Sequence, residues 1–214
     1  MEGPPVAPGR FKAVLTVNGQ RFAQTFDVVN DPRSTVPAHD IAEVVDVQKR
    51  YVAGAKEALD GYRQVDLCLS KINAVIAGKP PKEVTDAANA LVAKIQPLKG
   101  VPVNRRRAYG PPNPDSFGNL NIYLILQMDV FSYGDGPLTD HIARTYGNDW
   151  TKLKKISDTW REAKKDMAKF NAVLLKNGLP QLAIPSDLQE PAPPAAKYLP
   201  PVEKPVPAAT IKKP

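Results

Sequence analysis

The chain has 214 residues, 43% of them hydrophobic and 24% charged, and a formal charge of +7. That supplies enough apolar material for one ordinary core, while a single cysteine, Cys68, excludes an internal disulfide and a cysteine zinc cage. Proline is the outlier: there are 23, about twice the usual share, ten of them in the last 35 positions, which separates a folded part from a Pro-rich tail.

Residues 1–9 are rich in Pro and Gly and read as irregular. From Arg10 to Val17 the side chains alternate, Asn18-Gly19 follows, and Gln20 to about Val29 alternates again. Asn-Gly is the strongest short hairpin signal, because a type I′ turn needs positive φ at both central residues. Phe11, Leu15, Phe22 and Phe26, with Val14 and Val28, place apolar side chains on both faces of the expected ribbon. A lone hairpin is marginal in water, so these residues are candidate docking contacts.

After Asp31-Pro32-Arg33, Thr35 reads as an N-cap with Pro37 in the first turn. Apolar residues from Ile41 to Ile76 then recur at three- and four-residue steps, predicting a helix of about 40 residues that Gly78 and Pro80-Pro81 stop. Gly54 and Gly61 are points where it can bend. A second helix is expected from Pro81 to about Ile95, antiparallel to the first. Residues 97–115 hold five prolines and Arg105-Arg106-Arg107 beside Tyr109, and read as a long loop. A third helix is expected from Phe117 to about Ser132, capped by Asp115 or Ser116. Thr139 caps a short helix to Tyr146, Gly147-Asn148 breaks it, and Asn148 caps the last helix. That helix carries Leu153, Ile156, Trp160, Met167 and Phe170 as a core stripe and ends at Asn177-Gly178. Residues 185–214 show almost no periodicity and read as a polyproline-like tail.

The chemistry-bearing residues form no catalytic constellation. Cys68 lacks a base or a basic pocket nearby in sequence and reads as structural. His39 and His141 are too few for a histidine metal centre, so no metal or cofactor is expected. Arg105, Arg106, Arg107 and Tyr109 can meet phosphate or an acidic partner, but no nucleic-acid module surrounds them. The lysines of the last helix alternate with acids at helical spacing, the pattern of a solvent face. Tyr123, Phe131, Tyr133, Tyr146, Trp150 and Trp160 read as core anchors or as a docking surface. No apolar run reaches the roughly 18–20 residues of a membrane span, and Met1-Glu2-Gly3-Pro4-Pro5 is not the start of a signal peptide.

Two segments carry a resemblance. Pro8 to Gln20, continued through Gln24, Phe26, Val28 and Asp31-Pro32-Arg33, resembles the end of the Ig-like segment in bacterial exported proteins with BNR/sortilin-like propeller repeats. Phe170 to Pro180 resembles the last helix of the same proteins. The resemblance spans about residues 8–182 and implies an accessory helical domain of an exported lineage, with the propeller and its glycosidase label absent from this sequence.

The expected fold is therefore mainly α: an antiparallel helical bundle over residues 34–182, with an N-terminal β-hairpin over 1–33 and a Pro-rich C-terminal tail over 183–214. The expected function is a non-catalytic structural or interaction subunit that docks on other protein chains through hairpin and tail, and the resemblance implies an extracytoplasmic setting. The alternatives are the accessory C-terminal piece of a propeller glycosyl-hydrolase-like protein, and a basic helical nucleic-acid-binding protein, the latter disfavoured.

Overall fold

The structure, a computed structural model, describes residues 5–103, 115–130 and 136–200. It is a mainly-α helical bundle preceded by a β-hairpin. Strands β1 (Gly9–Val17) and β2 (Gln20–Val28) pair antiparallel around Asn18-Gly19. Asn18 and Gly19 sit at φ 50° and 81°, the two positive angles that a type I′ turn demands. Asp31 then takes the backbone N–H and the guanidinium of Arg33, which holds its carboxyl below the usual range and turns the chain toward the helices.

Helix α1 runs unbroken from Ala38 to Ala77, with Pro37 rather than Thr35 at the N-cap. Neither glycine interrupts it. Gly61 is instead a point of close packing, where a Cβ would lie 2.5 Å from the Phe117 ring, while Gly54 faces Leu124, Leu153 and Pro191 at ordinary contact distance. Helix α2 (Lys82–Lys99) folds back along the second half of α1, tied there by the Lys99–Asp66 pair. It continues through Pro97, which lies in its last turn, and stops at Gly100 with φ 71°. The expected loop therefore begins three residues late.

Helix α3 (Phe117–Val130) lies along the first half of α1, with Phe117 against Gly61 and the Asn121 amide donating to the Ala55 carbonyl at 2.7 Å. The end of α2 abuts the start of α3: Gly118 packs on the Val101 carbonyl, and Val101 N–H donates to Asn119. The two short helices thus form one interrupted rod beside α1. Helix α4 (Asp140–Lys176) is the other long rod. It lies parallel to α1, as the contacts Asp149–Tyr51, Ser157–Glu57 and Trp160–Gln64 require, and antiparallel to α2, as Lys94–Asp166 and Lys176–Glu83 require.

Thr139 caps α4 by accepting from Ile142 N–H, as its sequence suggests. The expected break at Gly147-Asn148 does not occur. Gly147 is in mid-helix because a Cβ there would fall 1.9 Å from the Tyr198 carbonyl oxygen, so the glycine serves an approach from outside the helix. Leu153, Ile156, Trp160, Met167 and Phe170 are all buried in the central core, together with Tyr51, Ile72, Leu91 and Leu120.

Candidate functional site

Two surfaces stand out among the described residues, and the hairpin is the first. Its register pairs Phe11 with Phe26, Leu15 with Phe22, and Gly9 with Val28. Directly opposed residues share a face, so Phe11, Ala13, Leu15, Val17, Phe22, Phe26 and Val28 all stand on one side. The other side carries Arg10–Asp27, Lys12–Thr25, Val14–Ala23 and Thr16–Arg21. This corrects the expectation of apolar side chains on both faces: only Val14 and Ala23 are apolar on the second. The ribbon is amphipathic, and its apolar face is bare. Leu15 is 63% exposed, Phe22 57% and Phe26 49%. Neither strand packs on a helix among the described residues. Phe11 and Phe26 stack at 6.1 Å, which covers only part of each ring.

The second surface is a groove between the parallel helices α1 and α4, and it is occupied. Residues 182–200 return along it as an extended strap. At the start of the strap Asn171 both donates to and accepts from the Leu182 backbone, each at 2.8 Å. Further on, Gln64 and Lys164 donate to the Ser186 carbonyl, and Lys164 pairs with Asp187. Arg161 reaches Glu190 at 2.8 Å. Trp150, Tyr146 and Arg50 then donate in turn to the carbonyls of Pro191, Ala192 and Pro193, at 3.2, 3.0 and 2.6 Å. Beyond them lies a cleft of about 560 Å³ between Asp46, Tyr146, Pro194 and Tyr198.

The strap's turned-in residues are Leu182, Pro185, Leu188, Pro191 and Pro194, one in every three, while most of the others are exposed. Three residues per turn is the polyproline II repeat. The polyproline-like composition was legible in the sequence, but this threefold register coincides with neither the strand period of two nor the helix period of 3.6. The described part of the tail thus lies along this chain's own helices. Tyr146 and Trp160, two members of the aromatic set, are buried, Trp160 bonding Gln64 and Tyr146 holding the strap.

Between α1 and α4 the interior is polar. Asp149 accepts from the Tyr51 hydroxyl at 3.2 Å and from Lys152 at 3.2 Å, yet burial still holds its carboxyl above the usual range. Glu57 is 2% exposed, and its Oε1 accepts from the Ser157 hydroxyl at 2.5 Å while Oε2 has no hydrogen-bond partner among the described residues. Burial raises this carboxyl to about 7. Spacing along one helix could not reveal either acid, since both faces of the helices carry charge in sequence and only the packing decides which charge is enclosed.

The remaining candidates separate cleanly. Cys68 is buried and its thiol is pushed up by burial, the reverse of a nucleophile's environment. His39 sits beside Asp40 at the exposed start of α1, and no group of three or more metal-ligating side chains occurs among the described residues. Lysines and arginines of α4 pair with acids: Lys154 and Arg161 with Asp158, Lys165 with Glu162, Lys169 with Asp166. Arg105, Arg106, Arg107 and Tyr109 lie outside the described residues. No helix among the described residues is long and apolar enough to cross a membrane. No family model, curated protein or solved structure matches the chain.

Proposed function

We propose that this chain is a non-catalytic interaction subunit that docks on another protein through its N-terminal hairpin. The observation that carries this reading is the bare apolar face of Leu15, Phe22 and Phe26 on a ribbon that packs on none of the described helices. Patches of large apolar side chains left in water mark sites of association.

Magnitudes narrow the mode of docking. Two strands of nine residues make a face roughly 30 Å by 10 Å, about 300 Å². At about 25 cal/mol per Å² its burial contributes about 7 kcal/mol. Association itself costs on the order of 4–15 kcal/mol, and stable interfaces bury about 800 Å² per partner. Two hairpins closing on each other therefore do not suffice. The partner must cover the apolar face and also use the unpaired edge groups of β1 or β2, as strand addition does. The resemblance to propeller-protein C-terminal regions supports the same direction, because it likens the hairpin to the last strands of a larger sheet.

The test is a full-length Leu15→Asp/Phe22→Asp variant compared with the parent in extracts of the native source. The parent should elute in a larger assembly and the variant alone, with helical content and melting temperature unchanged. Equal elution of the two would sink the reading, and so would a parent that elutes as a lone chain.

A further inference from the structure

We infer that the α1/α4 groove is a receptor for an extended, proline-containing acidic segment, and that residues 182–200 of a second copy of this chain can occupy it in place of the chain's own strap. The argument starts from the chemistry of the occupant. A polyproline II segment has no internal hydrogen bonds, so every carbonyl points outward for something else to satisfy. The groove answers with side-chain donors in register: Trp150, Tyr146 and Arg50 read three consecutive carbonyls, those of Pro191, Ala192 and Pro193. Aromatic donors on the carbonyls of a threefold helix are the recurring means by which proline-rich peptides are bound.

Dimensions match as well. From Leu182 to Ala192 the strap spans about 31 Å at the polyproline rise. The α4 residues that hold these two ends, Asn171 and Tyr146, are about 37 Å apart along the helix. Charge is complementary, with Asp187 and Glu190 on the strap meeting Lys164, Arg161 and Lys154 on α4. The shape of the groove is built for this occupant too, since Gly147 leaves room for the Tyr198 carbonyl where any side chain would collide.

Exchange is open because the strap, though its inward edge packs on the core, carries almost no structure of its own. Apart from a single short turn at Ala196–Tyr198 it has no internal secondary structure. It leaves α4 through Asn177, Gly178 (φ 69°) and Leu179, whose backbone N–H groups cap the helix, so exchange pivots beyond this cap, at Pro180–Gln181. Every contact made in cis is available unchanged to a second copy, and only the covalent link differs. This interface is separate from the hairpin and does not rest on the docking reading above.

The test uses the full chain carrying Asp187→Lys and Glu190→Lys, which sets strap cations against Lys164, Arg161 and Lys154 while leaving the groove intact. The probe is a fluorescently labelled synthetic peptide of the parental residues 182–200, read by anisotropy. The charge-reversed chain should bind it at least tenfold more tightly than the parent, whose groove is already filled. A folded reversed chain that ignores the peptide, or equal binding by both chains, would overturn the inference. If the reversed chain does not fold, two otherwise parental chains decide. One carries Arg50→Cys and the other Pro193→Cys, and they are mixed at high concentration with a short bis-maleimide. A covalent heterodimer supports exchange, and monomers alone refute it.

Discussion

Glu57 offers the sharpest quantitative test of the bundle. It lies on α1 facing Ser157 of α4, with Arg161 and Lys154 of α4 and Glu190 of the strap as the charges around it. Burial disfavours its charged form more than the Ser157 hydrogen bond favours it, so the carboxyl rises from 4.5 to about 7. A group whose proton is held more tightly in the folded state stabilises the fold at low pH and loses that contribution as pH climbs from the unfolded value through the folded one. The shift spans about 2.5 units, each worth about 1.4 kcal/mol. Between pH 5 and pH 8 the native state should therefore lose about 2–3 kcal/mol through this side chain alone. Asp149, also raised by burial, acts in the same sense. Asp166, lowered to about 2 by Lys169 and Lys94, acts in the opposite sense but only at lower pH. The measurement is urea unfolding of the parent and of Glu57→Gln at several pH values. The parent's stability should fall across that window, and the variant's curve should be flatter by about 2–3 kcal/mol. Superimposable pH profiles would show that Glu57 is ionised in the folded chain and that the enclosed seam is wetter than its geometry indicates.

Other expectations follow from single contacts. Trp160→Ala removes the largest fully buried side chain and its bond to Gln64, and should cost on the order of 3–5 kcal/mol by denaturant unfolding. Gly61→Ala raises helix propensity yet forces a methyl group into the Phe117 ring. Its net effect should be a loss of about 1–3 kcal/mol, and a gain would mean that α3 docks less tightly than described. Cys68 should react with a thiol reagent only at the rate of unfolding, so fast modification of the native chain would contradict its burial. Leu15→Asp should leave the melting temperature of the bundle unmoved, because the hairpin shares no packing with it.

What could be read from the sequence depended on whether one residue type had one meaning. Asn18-Gly19 had one, since no other common arrangement wants positive φ twice in succession, and the hairpin follows from it. The long apolar period of α1, and of α4 beyond Asn148, likewise left no competing reading. Gly147 had two meanings, a break or a point of close approach, and only the Tyr198 carbonyl tells them apart. Gly61 repeats the lesson on α1. Pro97 was ambiguous for another reason: it forfeits the bond to the Ala93 carbonyl, but it does so only in the last turn, where the ladder is ending anyway, so it need not mark the boundary. The amphipathic character of the hairpin was present in its alternation, but one face of each strand had to be matched across the turn before Phe22 and Phe26 could be assigned to the side of Phe11 and Leu15. Glu57 and Asp149 were invisible in principle, because enclosure is a property of two helices together.

The strap explains how three rods, one of them interrupted, close into a bundle. Helices α1 and α4 run parallel for most of their length and leave an outer groove between them. A fourth helix spanning about 37 Å would need about 25 residues, whereas a polyproline II segment covers the same length with about 12. The shorter solution transfers a burden to the groove, because a helix satisfies its own carbonyls and the strap cannot. That burden is visible as Asn171, Lys164, Gln64, Trp150, Tyr146 and Arg50, polar or amphipathic residues in places where a helix–helix seam would carry aliphatic ones. Most strap residues remain at the surface, so water can replace any single donor, and each such loss should cost no more than about 1 kcal/mol. The inward residues Leu188 and Pro191 have no such substitute. Pro191 is buried against Gly54, and Leu188 packs on the core. Leu188→Asp should therefore free the strap where Tyr146→Phe does not, with limited proteolysis between residues 180 and 200 as the readout. Equal cleavage of the two variants would show that the carbonyl bonds, and not the threefold apolar edge, hold the strap in place.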